Sequence, residues 1–425
     1  MVVDRMNKMK QWTSVLIVGA LGVTAGCSGG DEPAGGGKNE AAGGTVKLEY
    51  FQMKKEVVET VNNMIKKFEE KNPGIHIEQN NVPNAQNVFN MRLSTQDTPP
   101  IFTHYTTSPL FIKAATDGFV ADLTGDPLLK NVIPKFVEET KINGKNYLVP
   151  IAIGTWGVYY NLDVFNELKL EIPKTYAELI QTAEKIKSAG KLPFLFPDKN
   201  VGILGQEINY KLSLDVPDAE TFIVDVMKGK KHIMDNPDMR KYAQKLLEMR
   251  KYGQKDSLGT DMDDAVREFA LGKSAMYFQG IWSIQPMKKA NPNIKFSMFP
   301  MPADKAEATK IGAFVDTAIG LPKDGKNAKE AKKFVDFLAA PDMVQYYVDE
   351  TQYPSAVQGV KNNIAEIKDL NAMIEAGKTF PSISRLYPAG IGDDFSKATQ
   401  GLFASGDIDA FLKKTDEVFF NKLNQ

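Results

Sequence analysis

Apolar and polar residues repeat with clear periods in the first part of the chain. Residues 46–51, VKLEYF, are typical of a β-strand, whereas residues 56–71 place apolar side chains three and four positions apart, on one face of a helix. NPG at 72–74 ends this helix, and IHIE at 75–78 alternates like a second strand. This succession indicates a βαβ unit, and it predicts a parallel sheet covered by helices.

The alternation of helices and strands continues along the chain. It predicts helices over 85–95, 108–117 and 173–190, a strand over 101–104, and a turn with a short strand over 143–150. No repeat of fixed period is visible, which argues against solenoids and propellers. We therefore predict an α/β protein. Its 425 residues favour two domains or one two-lobed unit, because single cores stop growing at roughly 250 to 300 residues.

Charge and metal-binding residues narrow the range of ligands. The chain has 52 Lys and Arg against 53 Asp and Glu, so no net charge attracts nucleic acid or an anionic membrane. One cysteine excludes an intramolecular disulfide, and the three histidines, His76, His104 and His232, form no zinc motif. We expect no metal, no other cofactor, and a ligand that is neutral or recognised locally.

The N-terminus has the three parts of a secretory signal. Arg5, Lys8 and Lys10 precede an apolar run at 15–23, which ends in small residues. The run is about half as long as a membrane-spanning helix. We therefore predict a signal peptide over 1–26; the alternative is a buried helix of the fold.

The single cysteine lies directly after this segment. TAGC at 24–27 resembles the bacterial lipobox, in which the cysteine becomes the lipid-carrying first residue of the mature protein, so Cys27 is the expected lipidation site, with palmitate among its acyl chains. Lipoboxes usually have Leu, Val or Ile where this chain has Thr24, and a free extracellular thiol is the alternative. The Gly-rich residues 27–45 predict a flexible tether to the outer face of the cell membrane.

Three longer stretches carry a resemblance to a family. Residues 143–196, REFALGKSAMYFQGIWSI at 267–284 and NAKEAKKFVDFLAAPDMVQYY at 327–347 resemble the family 1 extracellular solute-binding proteins, the sugar-capturing lipoproteins of ABC importers. The tail at 385–407 is most similar to multiple-sugar-binding members. The chain departs from the family at Pro100, where an aspartate is common.

The resemblance implies a periplasmic-binding-protein-like fold of type II, with a ligand cleft between two α/β lobes joined by hinge strands. The first lobe would combine 46–149 with 303–340, and the second would combine 150–302 with 341–425. The implied function is that of a monomeric, non-enzymatic receptor. It would capture a carbohydrate, in particular an oligosaccharide, and deliver it to the permease subunits of an ABC transporter.

The candidate ligand residues follow from the chemistry of sugars, which present apolar C–H faces and a rim of hydroxyl groups. Trp282 and Trp156 are the aromatic candidates, although Trp156 is alternatively a packing residue near the hinge. Asp316 lies in an apolar stretch, where it needs hydrogen-bond donors from a ligand or from the backbone. The resemblance and the positions after predicted strands add Phe51, Gln52, His104, Tyr105, Gly154, Thr155, Gln279, Gly280 and Tyr387. For His104 the alternative is a surface histidine.

Two other functions remain open at this point. A secreted glycoside hydrolase needs two carboxylates that face each other across the scissile bond, and sequence alone does not exclude a chance pair. The resemblance over nearly the whole chain favours binding over hydrolysis. A ligand-sensing receptor for a membrane kinase would share the binding fold, and the neighbouring genes would distinguish it from a transport protein.

Overall fold

The computed structural model describes residues 45–388 and 390–421. The predicted signal peptide, Cys27 and the tether up to residue 44 lie outside the described residues. Within the two described ranges, no helix combines the length and the apolar character that a membrane span requires.

Strands and helices alternate along the described chain. The strands are β1 (Val46–Phe51), β2 (Ile75–Asn80), β3 (Ile101–Thr103), β4 (Lys141–Ile142), β5 (Lys145–Asn146), β6 (Val149–Asn161), β7 (Leu192–Leu195), β8 (Ser274–Gly280), β9 (Phe296–Phe299), β10 (Ile311–Gly320) and β11 (Thr379–Phe380). The helices are α1 (Val58–Lys71), α2 (Ala85–Ser94), α3 (Pro109–Thr116), α4 (Pro134–Glu139), α5 (Leu162–Glu167), α6 (Tyr176–Ser188), α7 (Val201–Asp215), α8 (Ala219–Met227), α9 (Pro237–Arg250), α10 (Met262–Ala270), α11 (Ile284–Ala290), α12 (Ala328–Leu338), α13 (Pro341–Thr351), α14 (Lys368–Glu375), α15 (Ile391–Ser405) and α16 (Ile408–Asn421). Short 3₁₀ turns include Lys55–Val57, Ile281–Ser283 and Ile383–Leu386.

The predicted helices at 56–71, 85–95, 108–117 and 173–190 are confirmed as α1, α2, α3 and α6, with ends that differ by up to three residues. Local chemistry accounts for these ends. The Ser108 hydroxyl accepts the Phe111 N–H at the start of α3, and the Thr175 hydroxyl accepts the Glu178 N–H at the start of α6. The apolar face of α1 is buried against the sheet.

The main sheet has the strand order β2-β1-β3-β10-β6-β8-β7, with β11 beside β10 and β9 beside β6. The predicted βαβ unit is confirmed, because β1 runs parallel to both β2 and β3. The prediction of a parallel sheet is wrong for the centre, where β10 runs antiparallel to β3 and β6, and β6 runs antiparallel to β8. These two strands are about 150 residues apart in the chain, so local alternation of helices and strands did not specify how they pair.

β6 changes partners along its length. Residues 149–155 pair with β10, and residues 156–160 pair with β8. Beside its first half, Ile153 donates its N–H to the Pro354 carbonyl (2.8 Å), and Ala356 donates to the Ile151 carbonyl (3.0 Å). β6, β10 and the segment at 354–356 therefore lie side by side at the middle of the sheet, where the cleft opens.

Candidate functional site

A cleft of about 1200 Å³ opens in the described part of the chain. Its lining comes from the segment after β1, from α4, β6, α7 and β10, and from residues 379–386. Small-molecule sites in proteins span roughly 300 to 1,000 Å³, so this cleft has room for an extended ligand.

Five rings form the aromatic group of the cleft: Trp156, Trp282, Phe314, Tyr210 and Phe380. The Trp282 ring lies edge-on to Trp156 at 5.3 Å and tilted toward Phe314 at 6.5 Å between centroids. Tyr210 meets Phe380 at 4.9 Å. Trp282, Phe314 and Phe380 are partly exposed, so they present apolar faces to the cleft.

Two glycines allow these rings to lie against the backbone. A Cβ atom at Gly280 would come within 2.1 Å of the Trp282 ring, and a Cβ atom at Gly154 would come within 2.7 Å of the Phe314 ring. Any side chain at either position would displace an aromatic ring of the cleft. The two glycines therefore support the aromatic group by leaving space for its rings.

Four ionisable residues form the charged group of the cleft: Lys54, Glu56, Glu139 and Asp316. The buried Lys54 ammonium forms an ion pair with Asp316 Oδ2 and lies 4.3 Å from the centre of the Tyr353 ring. Tyr353 in turn donates its hydroxyl hydrogen to Glu56 Oε1 at 2.9 Å. The ion pair therefore belongs to a connected network at the wall of the cleft.

Burial shifts the pKa values of two members of the charged group. Burial lowers the pKa of Lys54 to about 7, and the Glu56 carboxylate opposes that change. Contact with Asp316 also favours the charged ammonium. Burial raises the pKa of Glu139 to about 7, while the Val315 N–H and the cations of Lys135 and Arg385 act in the other direction. Besides its ion pair with Asp316, the buried Lys54 Nζ has no hydrogen-bond partner among the described residues, and a hydroxyl group of a ligand would supply one.

The structure brings four of the predicted ligand residues together in the lining: Trp156, Trp282, Asp316 and Tyr105. Trp156 is almost fully buried and meets Trp282 and Phe278 edge-on, so it supports its neighbours as well as lining the cleft. Asp316 lines the cleft, and its partner is the Lys54 ammonium, a side-chain donor that the sequence analysis did not consider beside a ligand or the backbone. Contact of these four residues with a ligand stays a prediction.

The other eight predicted residues lie outside the lining, and they are Gly154, Thr155, Gln279, Gly280, Phe51, Gln52, His104 and Tyr387. Several support residues that do line the cleft. The Thr155 hydroxyl donates to the Gly312 carbonyl at 2.8 Å, and the Tyr387 hydroxyl donates to Asn209 Oδ1 at 2.7 Å. Gln279 accepts the Gly280 N–H with its own side-chain oxygen at 2.9 Å. Phe51 packs on Phe89, away from the cleft, with 5.6 Å between the ring centres.

His104 is buried, contrary to the alternative of a surface histidine. Its ring lies 4.7 Å from Phe89 and 4.9 Å from Phe111 between centroids, and its Nδ1 accepts the Tyr105 N–H at 2.7 Å. Burial lowers the pKa of His104 to about 4, so the imidazole is neutral at physiological pH. Through the hydrogen bond to its Nδ1, His104 fixes the backbone of Tyr105, which lines the cleft.

Sequence reasoning missed three of the four residues of the charged group and three of the five rings of the aromatic group. Lys54 had a usable signal, because it comes two residues after Gln52, whose side chain accepts the Lys54 N–H (2.7 Å) and donates to the Lys54 carbonyl (2.8 Å). Phe314 also had one, since it shares a strand face with Asp316 two residues on. Glu139 lies at the end of α4 and Tyr210 lies within α7, and neither position carried a signal in the sequence. Within the described residues, no group of three or more His, Cys, Asp or Glu side chains could hold a metal ion.

Comparison with known proteins agrees with this geometry. The model of a family described as bacterial extracellular solute-binding proteins matches residues 63–375. The multiple sugar-binding protein of Streptococcus mutans is 29% identical over 371 residues, which cover 84% of this chain and 85% of that protein. The melibiose/raffinose/stachyose-binding protein MelE of Bacillus subtilis is 25% identical over 362 residues, 81% of this chain and 82% of that protein.

A solved structure is also similar over most of the chain. RafE in complex with raffinose superposes with a TM-score of 0.81 at 27% sequence identity, covering 90% of this chain and 100% of RafE. The expected α/β, two-lobed fold class is confirmed by this similarity.

Proposed function

The chain belongs to the family of bacterial extracellular solute-binding proteins, and on that premise we propose that it captures an oligosaccharide in the cleft and delivers it to the permease of an ABC transporter. The observation that carries the proposal is the aromatic group beside the charged group in one cleft. Rings pack on the C–H faces of sugars, and buried charged groups form strong hydrogen bonds with hydroxyls. The cavity volume of about 1200 Å³ favours more than one sugar ring.

The relatives support a ligand of this class. One relative is named a multiple sugar-binding protein, and another is named for binding melibiose, raffinose and stachyose. The similar solved structure, RafE, holds raffinose. Raffinose is therefore the first compound to test on this chain.

We further propose that two lobes close on the ligand. The boundaries are those expected from the sequence, 46–149 with 303–340 and 150–302 with 341–425. Support comes from the pairing of β6 and β10 with each other. β10 also pairs with β3 of the proposed first lobe, and β6 also pairs with β8 of the proposed second lobe. A sugar that contacts both lobes would stabilise the closed form, which is the form the permease subunits would recognise.

The proposed function requires no chemistry on the sugar, so the protein is proposed not to be an enzyme. The alternative of a glycoside hydrolase predicts release of the chromophore from a chromogenic α-galactoside. We expect no turnover at protein concentrations that saturate binding. Turnover that disappears when Asp316 or Glu139 is changed to its amide would contradict the proposal.

Lipid anchoring through Cys27 and a monomeric state complete the proposal, and both rest on the sequence. A single acyl chain binds membranes only marginally, so the anchor needs at least two chains. We expect Cys27→Ser to release the protein into the medium with its affinity for sugars unchanged. A Cys27→Ser protein that stays with the membrane fraction would contradict the lipid anchor.

The proposed function is tested by a thermal-shift screen of the purified protein. The compounds are raffinose, stachyose, melibiose, sucrose, maltose and, as a solute of another class, glutamate. A ligand that binds only the folded state raises its melting temperature, so we expect a shift with one or more oligosaccharides and none with glutamate. Absence of a shift with every sugar, together with a shift for the amino acid, would contradict carbohydrate capture.

A further inference from the structure

The pairing of β6 with β10 is interrupted beside the cleft. Residue pairs run regularly from Ala313 and Thr155 to Val315 and Ile153, and they then shift, so that Thr317 faces Ala152 and Asp316 has no partner on β6. A β-bulge of this kind bends the strand and changes the direction of its side chains. The residue left out of the ladder is the one whose carboxylate forms the ion pair with Lys54.

A carboxylate from another element holds this irregular segment. Glu139 is the last residue of α4, and its Oε1 accepts the backbone N–H of Val315 at 3.0 Å. Val315 lies between Phe314, of the aromatic group, and Asp316, of the charged group. One hydrogen bond to a side chain of α4 therefore fixes the backbone segment from which Phe314 and Asp316 project.

We propose that Glu139 is a positioning residue for ligand binding, which fixes the Phe314–Asp316 segment and so sets the places of the Phe314 ring and the Asp316 carboxylate in the cleft. The inference rests on the proposed function, because its consequence is read through sugar affinity. It goes beyond that function by assigning the role to a residue outside the predicted ligand contacts.

The electrostatic surroundings of Glu139 decide which variants are informative. Lys135 on α4 and Arg385 are the cations that face it, and Lys135 donates to Thr379 Oγ1 at 2.5 Å. Burial raises the pKa of Glu139 to about 7, so near neutral pH the neutral carboxyl is well populated. The neutral form keeps a carbonyl oxygen that accepts the Val315 N–H. Glutamine is thus a close mimic, whereas methionine fills the space without an acceptor.

The test compares Glu139→Met and Glu139→Gln with the unmodified protein in two measurements on the full mature chain. Hydrogen–deuterium exchange of the peptide covering β10, without ligand, reports how firmly the segment is held. Calorimetric titration with raffinose reports the affinity. Glu70→Met, on an exposed position of α1, is the matched control for a glutamate-to-methionine change.

We expect Glu139→Met to accelerate exchange in β10 and to weaken raffinose binding by about tenfold, because the partly buried Val315 N–H loses its acceptor. Glu139→Gln should match the unmodified protein in hydrogen–deuterium exchange, because the amide keeps an acceptor for the Val315 N–H, and Glu70→Met should match it in both measurements. Unchanged exchange in Glu139→Met, or equally accelerated exchange in the Met and Gln variants, would overturn the proposal. If the unmodified protein bound none of the sugars, the proposed function would fail, and the exchange measurement alone would decide whether Glu139 fixes the segment.

Discussion

The aromatic group and the charged group share one cleft, but the chain holds them in place by different means. The rings of Trp282 and Phe314 are placed by close packing against Gly280 and Gly154. Lys54 and Asp316 are placed by an ion pair; in addition, the Lys54 N–H donates to Gln52 Oε1, and the Thr317 hydroxyl donates to Asp316 Oδ2. Packing tolerates little added volume, whereas a buried pair is sensitive to the loss of one partner. The two groups should therefore fail in different ways when they are altered.

The largest effect is expected from breaking the charged group. Lys54→Met leaves the Asp316 carboxylate buried without its partner, and we expect the free energy of unfolding to fall by about 3 kcal/mol. Chemical denaturation measures this change. Replacing both partners, Lys54→Met with Asp316→Asn, should restore part of the stability, because no unpaired charge remains. A double variant as unstable as the single one would show that the pair does not hold this part of the cleft.

The aromatic group should respond to added volume with a change in affinity. Gly280→Ala places a methyl group where the Trp282 ring now lies, so the ring must move, and we expect raffinose binding to weaken about tenfold. Gly401→Ala is the matched control, since a Cβ there meets no atom within 4 Å. It should bind like the unmodified protein. If Gly280→Ala bound raffinose as tightly as the unmodified protein, the position of the Trp282 ring would not determine ligand affinity.

The smallest effect is expected from an exposed ion pair near the same cleft. Lys55, next to Lys54, contacts both carboxylate oxygens of Asp263 at 3.1 and 2.8 Å, and both side chains are 68% exposed. A double-mutant cycle with Lys55→Ala and Asp263→Ala should give a coupling below about 1 kcal/mol that vanishes in high salt. A coupling as large as that of Lys54 and Asp316 would mean that burial is not what separates the two pairs.

The two groups also differ in how far the sequence predicted them. Trp156 was predicted because it lies between Gly154 and Gly157, and Trp282 was predicted because the family resemblance implies a sugar-stacking tryptophan at this position after Gly280. Asp316 was found because a carboxylate in an apolar stretch is conspicuous. Gly280 was predicted as a ligand residue, but it lies outside the lining of the cleft. Its contribution is the space that it leaves for the Trp282 ring.

Lys54 and Glu139 were missed because their roles depend on contacts between distant parts of the chain. Lys54 meets Asp316 from more than 250 residues away, and Glu139 meets Val315 from 176 residues away. Dependence on contacts between distant parts of the chain also explains which part of the fold was missed. Local periodicity predicted α1 and its flanking strands, but not the antiparallel pairing of β6 with β10.

The most direct test of the account is a calorimetric titration of the unmodified protein and of Trp282→Ala with raffinose, under identical conditions. Trp282 is partly exposed, lines the cleft and is the ring that we predict to pack on a sugar. We predict one binding site per chain in the unmodified protein and at least tenfold weaker binding in Trp282→Ala, with an unchanged unfolding transition. Equal affinity of the two proteins would contradict the claim that this cleft holds the sugar.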